Sequence, residues 1–180
     1  MNELNFSITS NLSPEIIESK KRAFKSSLLN EKATIIDNKS THVVVRNGNV
    51  CLGALTVSHA HEILQAWSQG KISAKKDTLF LSRGFIIQNP DYRKREIFKL
   101  LMLNSLNFYN NKTILTSVRP YKKGVQEVIE IFGFKEYGSM QSYHSIENNS
   151  VELILFKLEN YNLDFEQKKS EILSNIQPAF

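Results

Sequence analysis

Apolar residues recur along the chain either three to four residues apart or at every second position, and these spacings predict helices and strands respectively. The first helix is predicted to begin at Ser13-Pro14-Glu15, where a capping residue, a proline and a dipole-complementing acid follow one another. It is expected to end near residue 30. The residues at helical spacing within it are Ile16, Ile17, Lys20, Phe24 and Leu28. One face should pack on a core, and the face with Lys20, Lys21 and Arg22 should be mostly solvated.

The next part of the chain carries a strong hairpin signal. Two runs rich in β-branched and apolar residues, at 41–46 and 50–57, flank Asn47-Gly48. This dipeptide tolerates the positive φ angles of a type I′ turn, so the two runs are predicted to pair as antiparallel strands.

The remaining sequence alternates between helical and strand patterns. The continuous apolar run Leu79 to Ile87 predicts a buried central strand, and Gly133 is expected to cap a helix. The other predicted elements are helices at 60–67, 91–109, 124–132 and 165–175, and strands at 113–118, 134–142 and 151–158. This order predicts an α/β (α+β) domain with a mixed sheet flanked by helices, formed by residues 1–160 and followed by a tail at 161–180 with a short helix.

Composition narrows the class of protein without identifying a function. A chain of 180 residues fits one domain, and it contains neither a secretory signal nor a run of apolar residues long enough to span a membrane. We therefore expect a cytoplasmic protein without integral membrane association. The net charge of +5 favours an acidic partner. The single cysteine, Cys51, lies in an apolar run and is expected to be a buried small hydrophobe.

Several segments, in their order along the chain, resemble the GNAT acyltransferase superfamily. They are the strand LSRGFIIQNP, the turn and helix DYRKREIFKLLMLNSLNFY, the strand TILTSV, and a helix that closes with IFGFKEYG. The resemblance implies a GNAT-like, mostly antiparallel central sheet flanked by helices. It also implies transfer of an acyl group from a thioester to an amine.

A narrower resemblance is to the acyl-homoserine-lactone synthases and N-acyl amino acid synthases, which take acyl chains from acyl carrier protein. The matching features, in chain order, are Arg22 with Phe24, Asp37 to His42, LGALTV, Ser82-Arg83, and Tyr143-His144 before an apolar strand. Two positions depart from the pattern, because Phe80 stands where an acid is common and the Gly-x-x-Arg of the preceding strand reads Gly53-Ala-Leu-Thr56. These departures leave the general base unassigned.

The resemblance implies a donor site at the central strand and the turn that follows it. The pantetheine arm would pair with the backbone of Phe85, Ile86 and Ile87. The turn carries Arg93, Lys94 and Arg95 at a helix N-terminus, which attracts anions, but it lacks the glycines that let a backbone cradle a pyrophosphate. We therefore expect acyl carrier protein as the donor in preference to coenzyme A, with neither bound permanently.

The acceptor side offers several polar candidates. His42, Tyr143 and His144 are candidate catalytic residues, because a histidine titrates near neutrality and a tyrosine can protonate a leaving thiol. The residues that bind the acceptor or act structurally are expected to be Asp37, Ser82 and Arg83, with Asp37 or Glu15 as the ionic partner of Arg83. His59-Ala-His61-Glu62 lacks the spacing of a zinc helix, so no metal site is expected.

These observations predict an N-acyltransferase that moves a long fatty acyl chain from acyl carrier protein to the primary amine of an amino acid, small molecule or peptide. The acyl chain would lie between the strands LSRGFII and TILTSV, near Leu101 and Phe132. Two alternatives stay open: a short-chain acetyltransferase that uses acetyl-CoA, and a noncatalytic module that binds an acyl carrier. No nucleic-acid recognition motif is present, so a nucleic-acid partner is not expected.

Overall fold

Seven strands form one mixed sheet in the order β1-β2-β3-β4-β5-β7-β6. The computed structural model describes residues 4–11, 13–24, 38–87, 89–144 and 149–177. The strands are β1 (Leu4–Thr9), β2 (Thr41–Asn47), β3 (Val50–His59), β4 (Leu79–Ile86), β5 (Ile114–Val118), β6 (Lys135–His144) and β7 (Asn149–Leu158). Of the neighbouring pairs, β4 with β5 is parallel and the others are antiparallel. The expected α/β class with a mixed, mostly antiparallel sheet is confirmed.

Helices cover both faces of the sheet. They are α1 (Pro14–Phe24), α2 (Ala60–Trp67), α3 (Lys94–Phe108), α4 (Lys123–Ile131) and α5 (Phe165–Ser174). The core on one face is built around α3, with side chains from α4 and α5. On the other face, α2 packs over Phe80 and α1 packs over Val44 and Phe85. No helix in the described part of the chain has the length and apolar character needed to cross a bilayer.

The predicted hairpin is confirmed, with its turn one residue further along the chain. Asn47 pairs with Val50, so Gly48 and Asn49 form the two-residue turn, and Gly48 has a φ of 55°. Asn49 does not have a positive φ, so only the first central residue lies in the left-handed region, and the turn is not the expected type I′. A positive φ at the first position alone is the pattern of a type II′ turn, and glycine adopts it without steric strain.

The sequence-based assignment missed strand β1. Its burial alternates at the start of the strand, with Leu4 and Phe6 half-buried and packed against the core. It is an edge strand that pairs with β2 along its whole length, from Leu4 with Asn47 to Thr9 with His42. Its pattern of apolar residues is too short to stand out from the polar N-terminal segment, which explains why it was missed.

Residues 161–177 run back along α3 and bind both of its ends. The Tyr161 hydroxyl lies 2.9 Å from the Leu106 carbonyl oxygen and 2.8 Å from that of Tyr109. At the other end of α3, the N–H of Arg93 donates to the Ile176 carbonyl oxygen at 2.8 Å. We call residues 161–177 the C-terminal strap. Its helix α5 was expected, and its buried side chains Ile172 and Ile176 belong to the main core.

Candidate functional site

Strand β4 separates from β5 halfway along its length. The two strands pair only at Leu79 with Ile114, Phe80 with Leu115 and Leu81 with Thr116. The Thr116 hydroxyl donates to the Leu81 carbonyl oxygen at 2.8 Å and so completes the last paired position. Beyond Leu81, the edge of β4 that faces β5 makes no ladder with that strand, and we call this opening the β4–β5 splay.

A β-bulge in β4 lies directly after the last paired residue. Thr56 of β3 pairs with Ser82 and Ala54 pairs with Phe85, so Arg83 and Gly84 together face a single residue of β3. Arg83 has a φ of 52°, in the left-handed region that residues with a side chain seldom adopt. A bulge bends its strand and increases the local twist, which is a sufficient cause for β4 to leave β5 at this point.

The backbone groups of β4 beyond the bulge divide between its two edges. The N–H of Ile87 donates to the Leu52 carbonyl oxygen at 2.8 Å, and the Phe85 carbonyl oxygen lies against Gly53. Both groups therefore face β3. Since successive residues of a strand point their backbone groups to opposite edges, the N–H and C=O of Ile86 face the splay. Of the three residues expected to pair with a pantetheine arm, Ile86 is the one with its backbone on the open edge.

The cationic turn at the start of α3 is exposed, as Arg93, Lys94 and Arg95 all lie at the surface. Arg95 forms an exposed ion pair with Glu127 of α4 at 3.3 Å. Glu96, in contrast, is buried, and its carboxylate lies 2.9 Å from the Lys99 amine. The backbone amide of Arg93 is already bound to the C-terminal strap, so this helix N-terminus has fewer amides to offer an incoming phosphate.

A row of buried polar residues crosses the opposite face of the sheet, under α1. His42 pairs with Thr56 and Thr56 pairs with Ser82 on three adjacent strands, which places their side chains on one face. We call these three residues the polar row. Lys20 of α1 lies above it, with its amine 2.6 Å from the Thr56 hydroxyl oxygen, and His42 Nδ1 lies 3.2 Å from the same oxygen. A second buried pair, Ser40 with Ser58 at 2.6 Å, adjoins the row.

The position of Lys20 corrects the expectation that its face of α1 is solvated. Only 2% of Lys20 is exposed, and Ile16, one turn earlier, is equally buried, whereas Ile17 is 38% exposed. The buried stripe of α1 therefore runs through Ile16 and Lys20. A buried amine needs a hydrogen-bonding partner, and Thr56 supplies one.

Ser82 differs from the other members of the polar row. It is 7% exposed, and its hydroxyl oxygen makes no hydrogen bond with any residue in the described ranges. Leaving a buried hydroxyl unpaired costs about 1–3 kcal/mol, so an unpaired group of this kind is uncommon in a folded core. Ser82 also occupies the vertex of the splay, between the last β4–β5 pair and the bulge.

The structure does not bring the candidate catalytic residues together. His42 is fully buried in β2, and His144 ends β6 at the far edge of the sheet. Five strand spacings separate β2 from β6, or about 24 Å measured along the sheet. The side chains of Tyr143 and His144 lie outside what the structure describes.

Other expected residues have different partners from those anticipated or lie outside the described ranges. Glu15 binds Arg46, at 3.0 Å, and the backbone N–H of Cys51, at 3.1 Å. Asp37 lies outside the described residues, as do the side chains of Arg22 and Phe24. Cys51 is fully buried as expected, and burial together with the Glu15 carboxylate raises the pKa of its thiol.

The residues near Leu101 and Phe132, where the acyl chain was expected, form closed packing. Leu101 is 0% exposed and Phe132 is 2% exposed, and both belong to the main core around α3. An acyl chain in the splay would therefore need these side chains to move.

Sequence reasoning missed Lys20 and Thr56 as members of the site. The one available signal was the presence of Lys20 at helical spacing from Ile16 within an otherwise apolar stripe. A lysine at such a position is usually a surface residue, and its contact with Thr56, 36 positions away, depends on tertiary structure. Among the described residues, no cluster of three or more metal-ligating side chains is present.

Comparison with known proteins identifies the fold. No family model matches the chain, and no curated protein matches its sequence. Among solved structures, a probable acetyltransferase from Staphylococcus epidermidis matches with a TM-score of 0.64 and 12% identity, over 88% of this chain and 100% of the other. A Bacillus subtilis acetyltransferase in complex with CoA matches with a TM-score of 0.63 and 9% identity, over 88% and 100%. A GNAT-family acetyltransferase from Bacillus cereus matches with a TM-score of 0.54 and 20% identity, over 88% and 99%. The chain therefore has the GNAT fold.

Proposed function

We propose that the protein is an N-acyltransferase that transfers an acyl group from a phosphopantetheine thioester to a primary amine. The β4–β5 splay is the observation that carries this proposal. It leaves the backbone of Ile86 on an open edge in the centre of the sheet, directly beyond a bulge at Arg83. The pantetheine arm contains amide groups, so it can pair with such an edge in the way that an added strand does.

The geometry suits acyl transfer because this reaction asks little covalent chemistry of the protein. The amine must be held beside the thioester carbonyl, and a hydrogen-bond donor must meet the oxyanion that develops there. The N–H of Ile86 faces the splay and is a donor for this purpose. The GNAT fold supports the same assignment, since structures that share it include acetyltransferases and one of them holds CoA.

The donor is expected to be an acyl carrier protein. The exposed cations Arg93, Lys94 and Arg95 can bind an acidic protein surface over a wide area. The helix N-terminus beside them is less suited to a pyrophosphate, because the Arg93 amide is bound to Ile176 and no glycine lies in the first turn of α3. Coenzyme A carries the same phosphopantetheine group and is the competing donor, favoured by the CoA complex of the Bacillus subtilis protein.

The acceptor is expected to be an amino acid, small molecule or peptide with a primary amine. His42, Tyr143 and His144 stay candidates for proton transfer, and Asp37 and Arg83 stay candidates for contacts with the acceptor. Because His42 is buried against Thr56, it would act through that hydroxyl and not by direct contact with solvent.

Product formation tests the proposal. The protein is incubated with acyl carrier protein thioesters and with acyl-CoA of several chain lengths, each with a panel of primary amines, and amide products are detected by mass spectrometry. We expect an amide with at least one amine and a higher kcat/KM with the carrier protein. Product from acyl-CoA alone would overturn the choice of donor, and no product from any donor would overturn the function.

A pair of charge reversals tests whether the cationic turn binds the acyl carrier protein. Arg93→Glu with Lys94→Glu should lower kcat/KM for the acyl carrier protein at least about tenfold, because two attractive contacts become repulsive. The matched control is Lys75→Glu with Lys76→Glu, at exposed positions beyond the other end of β4, which should leave kcat/KM unchanged. Equal loss in both double variants would mean that net charge, and not a docking surface, determines binding.

A further inference from the structure

Ser82 lies where the reacting atoms of the proposed transfer would meet. It follows Leu81, the last residue of β4 paired with β5, and it precedes the bulge at Arg83. A thioester whose pantetheine arm runs along the open edge of β4 would bring its carbonyl carbon and sulfur to the inner end of that edge. The Ser82 hydroxyl is buried there, and it is free of hydrogen bonds to the described residues.

The hydroxyl of Thr56, the neighbour of Ser82 on β3, is bound to Lys20 and His42 instead of to Ser82. Thr56 lies directly opposite Ser82 on β3, and Thr–Ser pairs at such positions commonly share a hydrogen bond. The Thr56 oxygen instead accepts from the Lys20 amine at 2.6 Å and lies 3.2 Å from His42 Nδ1. A hydroxyl has one donor and two acceptor positions, so these contacts use two of the three and turn Thr56 towards α1 and β2. Lys20 and His42 thus keep the Ser82 hydroxyl available for another group.

We propose that Ser82 is a catalytic residue that relays a proton from the acceptor amine to the leaving sulfur, with Lys20 as a positioning residue that acts through Thr56. This inference rests on the proposed function. The amine nitrogen attacks the thioester carbonyl carbon, the C–N bond forms, and the C–S bond breaks with its electron pair on sulfur. As this happens, the nitrogen gives one proton to Ser82 Oγ while the Ser82 hydroxyl proton passes to the sulfur. The products are an amide and a thiol, and Ser82 returns to its starting state without an external base.

The comparison of Ser82→Thr with Ser82→Val tests the catalytic role. Both variants add the same bulk to the site and both suit a strand, but only threonine keeps a hydroxyl. Because the hydroxyl has no partner in the described fold, we expect the valine variant to be at least as stable in denaturant as the threonine variant. We expect its kcat to be lower by about 100-fold, the size typical of lost acid–base catalysis, with KM changed less than about twofold. A merely structural serine would instead make stability and kcat change together.

A double-mutant cycle tests the positioning role of Lys20. Lys20→Met should lower kcat about tenfold in the wild type, because Thr56 is then free to bind Ser82. It should lower kcat by less than about twofold in the Ser82→Val background, where no hydroxyl remains to be captured. Ser68→Ala is the control, since it removes a buried hydroxyl that is bound to the Leu64 carbonyl at the end of α2, outside the polar row and the β4–β5 splay. It should leave kcat unchanged.

The outcomes separate this inference from the proposed function. Absence of turnover by the wild-type protein with every donor and amine overturns the proposed function and this inference with it. Turnover by the wild type together with kcat values within about threefold for Ser82→Thr and Ser82→Val overturns the relay alone. An additive effect of Lys20→Met in the two backgrounds overturns the positioning role alone.

Discussion

Replacement of Gly53 by alanine should move β4 and destabilise the fold, for a reason that is visible in one contact. A Cβ atom at Gly53 would lie 2.6 Å from the carbonyl oxygen of Phe85, whereas ordinary van der Waals contact begins at 3.4 Å. The obstructing atom belongs to the backbone of β4, so it cannot turn aside as a side chain would. The two strands would have to separate by about 0.8 Å.

The expected magnitude follows from the cost of overpacking. Forcing extra volume into close packing costs about 1–3 kcal/mol, and a backbone obstruction belongs in the upper half of this range. We expect the free energy of unfolding of Gly53→Ala to fall by about 2–3 kcal/mol and its Tm by about 4–12 °C. The same displacement moves Phe85 and Ile86 at the open edge of β4. A shift approaching 1 Å at a reacting centre can lower kcat about 100-fold, so the proposed activity should fall more than stability alone explains.

Urea denaturation followed by circular dichroism measures the change, with Gly124→Ala as the control. An added Cβ at Gly124 would meet nothing within 4 Å, and Gly124 lies in the first turn of α4. Alanine is the better helix former, so this variant should gain up to about 1 kcal/mol. If Gly53→Ala unfolds at the same urea concentration as the wild type, the close approach of β3 and β4 at this position is not a feature of the protein.

Three further predictions concern groups around the sheet. The free energy of unfolding of Tyr161→Phe should be lower by about 1–2 kcal/mol at neutral pH, because the carbonyls of Leu106 and Tyr109 lose the one hydroxyl donor that they share. Burial raises the pKa of Tyr161 to about 12, from 10 in the unfolded chain, so the difference between wild type and variant in denaturant titrations should be complete below pH 10 and vanish as the pH rises towards 12. Cys51 should react with a thiol reagent only when the fold opens, so its labelling rate in mild urea should follow the unfolding equilibrium, and fast labelling of the native protein would contradict its burial. The free energy of unfolding of Asp164→Ala, measured by thermal unfolding, should be lower by about 1 kcal/mol, because the Asp164 carboxylate accepts from the Gln167 N–H at the start of α5. Asp164→Asn keeps the capping oxygen, so its free energy of unfolding should be lower by only about a few tenths of a kcal/mol.

Local patterns in the sequence were sufficient for much of the fold. The Asn47-Gly48 signal and the continuous apolar run from Leu79 predicted the hairpin and the central strand, because turns and buried strands depend on neighbouring residues. The end of the helix at Gly133 was predicted for the same reason, and its φ of 85° confirms the cap. The predicted helix and strand bounds differ from the observed ones by three residues or fewer at the described ends of these elements.

The candidate site was less predictable, since it depends on contacts between distant segments. The bulge at Arg83 has no turn-forming signature at the residue that adopts the positive φ. The burial of Lys20 depends on Thr56 in another strand, and the unpaired state of Ser82 depends in turn on both. Such features arise from register and tertiary packing, which a spacing of apolar residues does not encode.

The C-terminal strap has a consequence for the order in which the protein folds. The hydrogen bond from the Arg93 N–H to the Ile176 carbonyl joins two segments that are far apart in the sequence. The elements α3, β5, α4, β6 and β7 all lie between them along the chain. Closing so long a loop is a late event in folding, because its entropy must be overcome before the contact is made. During synthesis, α3 can form on β4 well before residues 161–177 exist. The N-terminus of α3, and with it the cationic turn, takes its final position only after the strap has been made and has docked.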